Sequence, residues 1–96
     1  MGRRVIERKL AELTDRLGRL RSDLEVADEQ LAHFQQLAEE ARVRALVSET
    51  AIADREYREA ERHATAMKRQ RGQLKDEVDR LAIVQDAMLD QFIASG

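Results

Sequence analysis

The 96-residue chain contains no cysteine, no proline and no tryptophan. Without cysteine there is no disulfide framework and no thiolate metal site, and nothing marks a redox compartment. Without proline, no residue interrupts a helix by removing its backbone donor. One Tyr and two Phe are too few bulky side chains to fill a globular core. A surplus of either charge is missing too, since 17 basic and 19 acidic residues leave a net charge of −2. A chain so balanced has no large field to steer it onto nucleic acid or anionic lipid. The longest strictly apolar run, Leu81-Ala82-Ile83-Val84, is far too short to span a bilayer. The opening Met1-Gly2-Arg3-Arg4-Val5-Ile6-Glu7 has basic residues but not the apolar stretch of a cleaved signal. Ile6 stands where a myristoylation pattern requires Ser or Thr. The expectation is a cytoplasmic protein, although signal-independent secretion is compatible with the same absences. The preponderance of Arg over Lys, with abundant Ala, points by correlation to a GC-rich bacterial coding sequence.

What the chain does have is charge and helix formers: 38% of residues are charged and 43% hydrophobic, the profile of a coiled coil. Upstream, a seam runs through Ile6, Leu10, Leu13, Leu17, Leu20, Leu24, Ala27, Leu31, Phe34, Ala38, Ala41 and Ala45. Downstream, a second runs through Ala53, Tyr57, Ala60, Ala64, Met67, Arg71, Leu74, Val78, Leu81, Gln85, Met88 and Phe92. Both alternate steps of four and three, the heptad signature. Each upstream position has a downstream counterpart at equal distance from Glu49. That mirror predicts an all-α fold, a two-helix antiparallel coiled-coil hairpin turning at about Ser48–Thr50. Helix 1 is expected over about 3–47 and helix 2 over about 51–93, in a single domain over 1–96. The competing fold is one long helix in a coiled-coil dimer. A continuous helix would put Ile52 and then Glu59 on the seam, whereas the downstream frame begins at Tyr57. An insertion of three or four residues does not restore that phase.

Antiparallel pairing sets large against small at Phe34–Ala64 and Ala41–Tyr57, which fills space without strain. Arg71 lies opposite Ala27, leaving room for its stem to cross the seam while its head reaches water. The seam is Leu-rich early and Ala-only from Ala38, so the helices should draw closer toward the turn. Beside the turn, Arg42 with Asp54 and Arg44 with Glu56 are expected as register-setting pairs, and Asp28 with Lys68 as a third. Two levels set like charges together, Arg21 with Lys75 and Asp23 with Glu77. Ser48 and Thr50 are both acceptable helix caps, and no Gly or Pro supports the turn.

No catalytic constellation is visible: there is no Gly-rich phosphate loop, no serine triad with a pocket and no thiol nucleophile. The expectation is a protein that is not an enzyme and carries no cofactor or metal. His33 and His63 fall at similar height on one side of the seam, without a third ligand at clear spacing. The most basic window, Lys68–Lys75, faces Asp23, Glu25, Asp28 and Glu29 and has no interleaved aromatic residue, which argues against nucleic acid. The end carrying both termini has more apolar residues than its seam needs. Val5, Ile83, Val84, Leu89 and Ile93 lie off the seam and are interface candidates, with Val5, Ile83 and Ile93 expected to be fully wet in a monomer.

The turn region is acidic, with Glu39, Glu40, Glu49, Asp54, Glu56, Glu59 and Glu61. In architecture alone, a hairpin with such a tip resembles the coiled-coil factors that enter the secondary channel of bacterial RNA polymerase. That resemblance implies a regulator whose tip, here Glu49 and Asp54, is delivered into another protein's active site. Helical hairpins also occur among the type VII secretion substrates with a Trp-x-Gly turn. Here the turn reads Ser48-Glu49-Thr50, and the Tyr57–Glu61 stretch begins helix 2 instead of following it, so membership does not follow. The first expectation is a non-catalytic coiled-coil adaptor or assembly protein, acting on protein partners and forming a homo-oligomer, such as a four-helix bundle. The alternatives are the tip-inserting regulator and a secreted helical hairpin.

Overall fold

The computed structural model describes residues 2–96. It consists of helix α1 (Arg3–Ser48) and helix α2 (Ala51–Ala94), packed antiparallel as a hairpin, with no strand among the described residues. The Gly2 carbonyl opens α1 by accepting from the Val5 and Ile6 amides, each at 3.1 Å. At the far end of α2, the Ser95 hydroxyl donates to the Phe92 carbonyl at 2.9 Å. These contacts satisfy backbone groups that a helix end leaves without an internal partner.

The mirror residue is the pivot. Glu49 has a positive φ of 51°, the left-handed conformation in which helices often end. Its amide donates to the Ala45 carbonyl at 3.1 Å, closing the last turn of α1. Thr50 then caps α2: its Oγ1 accepts from the Ala53 amide at 3.2 Å, and its carbonyl accepts from the Asp54 amide at 3.1 Å. Of the two cap candidates only Thr50 serves. Ser48 stays in α1 and its hydroxyl donates back to the Arg44 carbonyl at 2.6 Å. No glycine is required, because one residue in a left-handed conformation is enough to reverse the chain.

The chain divides into two compact units, Met1–Leu24 with Leu74–Gly96 and Glu25–Gln73. Both helices contribute to each. In the first, the terminal unit, Leu17, Val78 and Leu81 form the core, packed by Leu13, Leu20 and Leu24. Leu17 is completely buried, at 0% exposure. Ile6 is buried too, and the Arg3 guanidinium lies over the Phe92 ring, 4.2 Å from its centre. Gln85, a polar residue on the seam, donates to the Thr14 hydroxyl at 3.0 Å and so is not left unpaired. In the second, the turn unit, the buried residues are all alanines: Ala27, Ala41, Ala45 and Ala53.

Every seam position named above is buried or half-buried. Among the described residues off the seam, only Val5, Gly72, Lys75, Glu77 and Ala82 are comparably sheltered. The helix faces are therefore set by the 3–4 alternation of small and apolar residues. Arg71 behaves as its position opposite Ala27 requires: its stem is half-buried and its Nε donates to Asp28 Oδ1 at 2.7 Å.

Candidate functional site

The residues named as interface and tip candidates lie on the surfaces of the two helices and at the turn between them. In the terminal unit, Ile83 and Ile93 stand 71% and 72% exposed. Val84 and Leu89 are exposed at just over a third. Val5 departs from expectation: it is half-buried, not fully wet. Helical spacing also distributes the set. Leu89 and Ile93, four residues apart, share one edge of α2 with Ala82. Val84 lies on the opposite edge and Ile83 on the outer face.

The charged residues pair differently from the level-by-level expectation. Among the described residues, neither Arg42–Asp54 nor Arg44–Glu56 forms. Arg42 instead binds Glu39 within α1, with Nε to Oε2 at 2.9 Å and Nη2 to Oε1 at 2.6 Å. A partner three residues away on the same helix needs no reach across the seam, and the fork meets both carboxylate oxygens. The hydrogen bond from Arg42 holds the Glu39 carboxyl below its usual range. Asp28 is taken by Arg71 and not by Lys68.

The two like-charge levels are also relieved within the chain. Glu77 does not face Asp23 unpaired: Arg16 reaches its Oε1 from α1 at 3.0 Å, and Arg80 grips both oxygens at 2.8 and 3.1 Å. The hydrogen bond from Arg80 lowers the Glu77 carboxyl, with the nearby Arg16 charge acting the same way. Lys75 donates to Asp79 at 2.5 Å. Arg21 and Asp23 themselves make no ion pair among the described residues.

The turn is not simply acidic. Leu46, Val47 and Ile52 stand 65%, 79% and 67% exposed around Glu49. Val43 and Leu37 are exposed in the same unit. Their signal in the sequence is apolar side chains off the seam at the end of α1 and the start of α2. Asp54 lies in the first turn of α2, where a carboxylate favours the helix dipole. No three His, Asp or Glu side chains come together as a metal site among the described residues. His33 and His63 both meet the Phe34 ring, with centres 5.6 and 4.9 Å away, so their apolar faces are used in packing.

Two cations of the Lys68–Lys75 window are engaged, Arg71 with Asp28 and Lys75 with Asp79. A basic stripe missed in the sequence lies elsewhere: Arg55, Arg58, Arg62 and Arg69 are exposed, at spacings of three, four and seven on the outer face of α2. None of them makes an ion pair among the described residues. The step pattern was the available signal, displaced half a turn from the seam.

Comparison with known proteins finds no matching family model, no matching curated protein and no matching solved structure.

Proposed function

We propose that the chain is a non-catalytic coiled-coil adaptor or assembly protein that acts through protein–protein contacts and needs no cofactor. The observation that carries this reading is the exposed Leu89–Ile93 edge of α2. Its residues play no part in the chain's own seam, yet they are as apolar as those that do. Burying a side chain of this size is worth roughly 1.5–3 kcal/mol. A few on each partner offset an association penalty of several kcal/mol. Because Leu89 and Ile93 carry no charge, their attraction is apolar and should resist salt.

In this reading two copies meet through that edge in an antiparallel or end-overlapped four-helix arrangement. Sedimentation equilibrium at micromolar concentration tests it. The expected result is a species at two or four times the 11.0 kDa chain mass. It should dissociate when Leu89→Glu and Ile93→Glu are introduced together. An 11.0 kDa species would end the homo-oligomer reading and assign the edge to a different protein, to be captured from the native cell. The tip-inserting regulator is separated by Glu49→Ala with Asp54→Ala: lost cellular function with assembly unchanged would displace the adaptor reading.

A further inference from the structure

Within the turn unit, the two outward faces carry opposite characters. The outer face of α1 presents Glu25, Glu29 and Glu40 to solvent, with Gln36 between them, and no cation shares that stripe. The outer face of α2 presents Arg55, Arg58, Arg62 and Arg69. Neither set is neutralised by ion pairs in its own chain among the described residues. The mirror about Glu49 holds on these faces as well as on the seam. At equal distance from the turn, Glu29 is level with Arg69, Gln36 with Arg62 and Glu40 with Arg58. Nearest the turn, Leu46 is level with Ile52 and Val47 with Ala51. Halfway down, Ala32 is level with Ala66, two methyl groups that let helix backbones approach.

These matched residues cannot meet within one chain, because they point away from each other on opposite sides of the hairpin. We infer that a second copy supplies the match. The outer face of α2 of one chain docks on the outer face of α1 of the next, side by side with turns level. Glu29 and Glu40 of α1 then meet arginines, Glu25 is level with Gln73 and Arg55 with Val43, and the exposed apolar residues at the turn are covered. One level opposes the match: Glu39 would meet Glu59. Arg42 already neutralises Glu39 within α1, at 2.6 Å. Like faces reject each other: α1 against α1 sets acid against acid, and α2 against α2 sets arginine against arginine. The contact is therefore heterologous, and such contacts build rings or open rows instead of closed two-fold dimers.

This surface goes beyond the adaptor reading and does not depend on the Leu89–Ile93 edge. The matched stretch is about 27 Å long, from Glu29 to Val47, at the usual helix rise. That is short for a standard interface. Association is expected between about 10 µM and 1 mM, and it should weaken as salt rises.

Charge reversal on the full chain tests the proposal, carried out in the Leu89→Glu, Ile93→Glu background so that the other edge is silent. Helicity by circular dichroism verifies that each exposed-site variant folds. In sedimentation, the background chain should grow past two copies with concentration. Arg58→Glu with Arg69→Glu should weaken this at least about tenfold, as should Glu29→Arg with Glu40→Arg. An equimolar mixture of the two variants should associate again, because each basic face then finds an acidic one. The four changes combined in one chain should restore self-association as well. A monomer throughout this range would overturn the inference, as would association untouched by either reversal. A monomer that binds duplex DNA through Arg58 and Arg69 would also overturn it and assign the stripe to a polyanion.

Discussion

Glu49 occupies a backbone conformation that favours glycine, and that makes it a sensitive residue. A left-handed φ brings Cβ close to the following carbonyl, a strain of roughly 1–2 kcal/mol for an ordinary side chain. Glycine removes the strain but leaves a more flexible unfolded chain, so Glu49→Gly should stabilise the hairpin by a net of about 0.5–1 kcal/mol. Glu49→Val, branched at Cβ, should destabilise it. Thermal unfolding of the pair orders them: a glycine variant less stable than the parent would contradict the turn geometry. Tyr57 offers a second readout at this scale. Partial burial raises its hydroxyl above the ordinary tyrosine value, and the Glu61 charge adds to the effect. As the only tyrosine in a chain without tryptophan, it can be titrated by absorbance alone. The folded value is raised, so the unfolded chain ionises first. The related stability is complete at neutral pH and falls as pH climbs past the ordinary value. An unshifted absorbance midpoint, or one moved up further by Glu61→Gln, would contradict this environment.

At the scale of the helix, the 3–4 alternation carries most of the structure. It identified every sheltered seam position and the pivot, because a mirror in the heptad frame has few other physical solutions. Thr50 as cap was legible only as one of two candidates. The choice between Ser48 and Thr50 depends on which residue leaves the helix, and that follows from where the left-handed residue falls. The ion pairs were poorly legible. Level-by-level pairing ignores that Arg42 finds Glu39 three residues away more easily than Asp54 on the other helix, and that long side chains such as Arg16 reach diagonally. The arginine stripe on α2 was not legible from the apolar period, because its regular spacing lies half a turn from the seam and is interleaved with Glu59 and Glu61. The pairs found have a consequence for acid stability. The carboxyls of Glu39 and Glu77 are lowered by Arg42 and Arg80, so their contribution is present at neutral pH and lost as pH falls through the carboxylate range. In Glu39→Gln with Glu77→Gln, the melting temperature should fall below the parent's at neutral pH, and the gap should close on acidification. A gap that stays constant with pH would show that the lost stability is not electrostatic.

For the molecule as a whole, the two units rest on different materials. In the terminal unit, Leu17, Val78 and Leu81 are buried among further leucines. In the turn unit, the fully sheltered side chains are methyl groups, and Leu31, Phe34, Tyr57 and Met67 are only half-buried. Each buried CH₂ contributes about 0.8 kcal/mol, so a leucine core holds its backbone hydrogen bonds more firmly than an alanine one. Local opening follows local burial. Amide hydrogen exchange at dilute concentration, where neighbouring copies do not protect the turn, should therefore be slower around Leu13–Leu24 and Leu74–Leu81 than around Ala38–Ala45 and Ala53–Ala60. Leu17→Ala leaves a cavity where nothing is exposed, and the loss should be about 2–5 kcal/mol. If the units open independently, that variant should lose protection in the terminal unit while the turn unit keeps its own exchange rates. Uniform acceleration across both units would instead mean that the hairpin opens as one cooperative body, with the leucine core holding all of it.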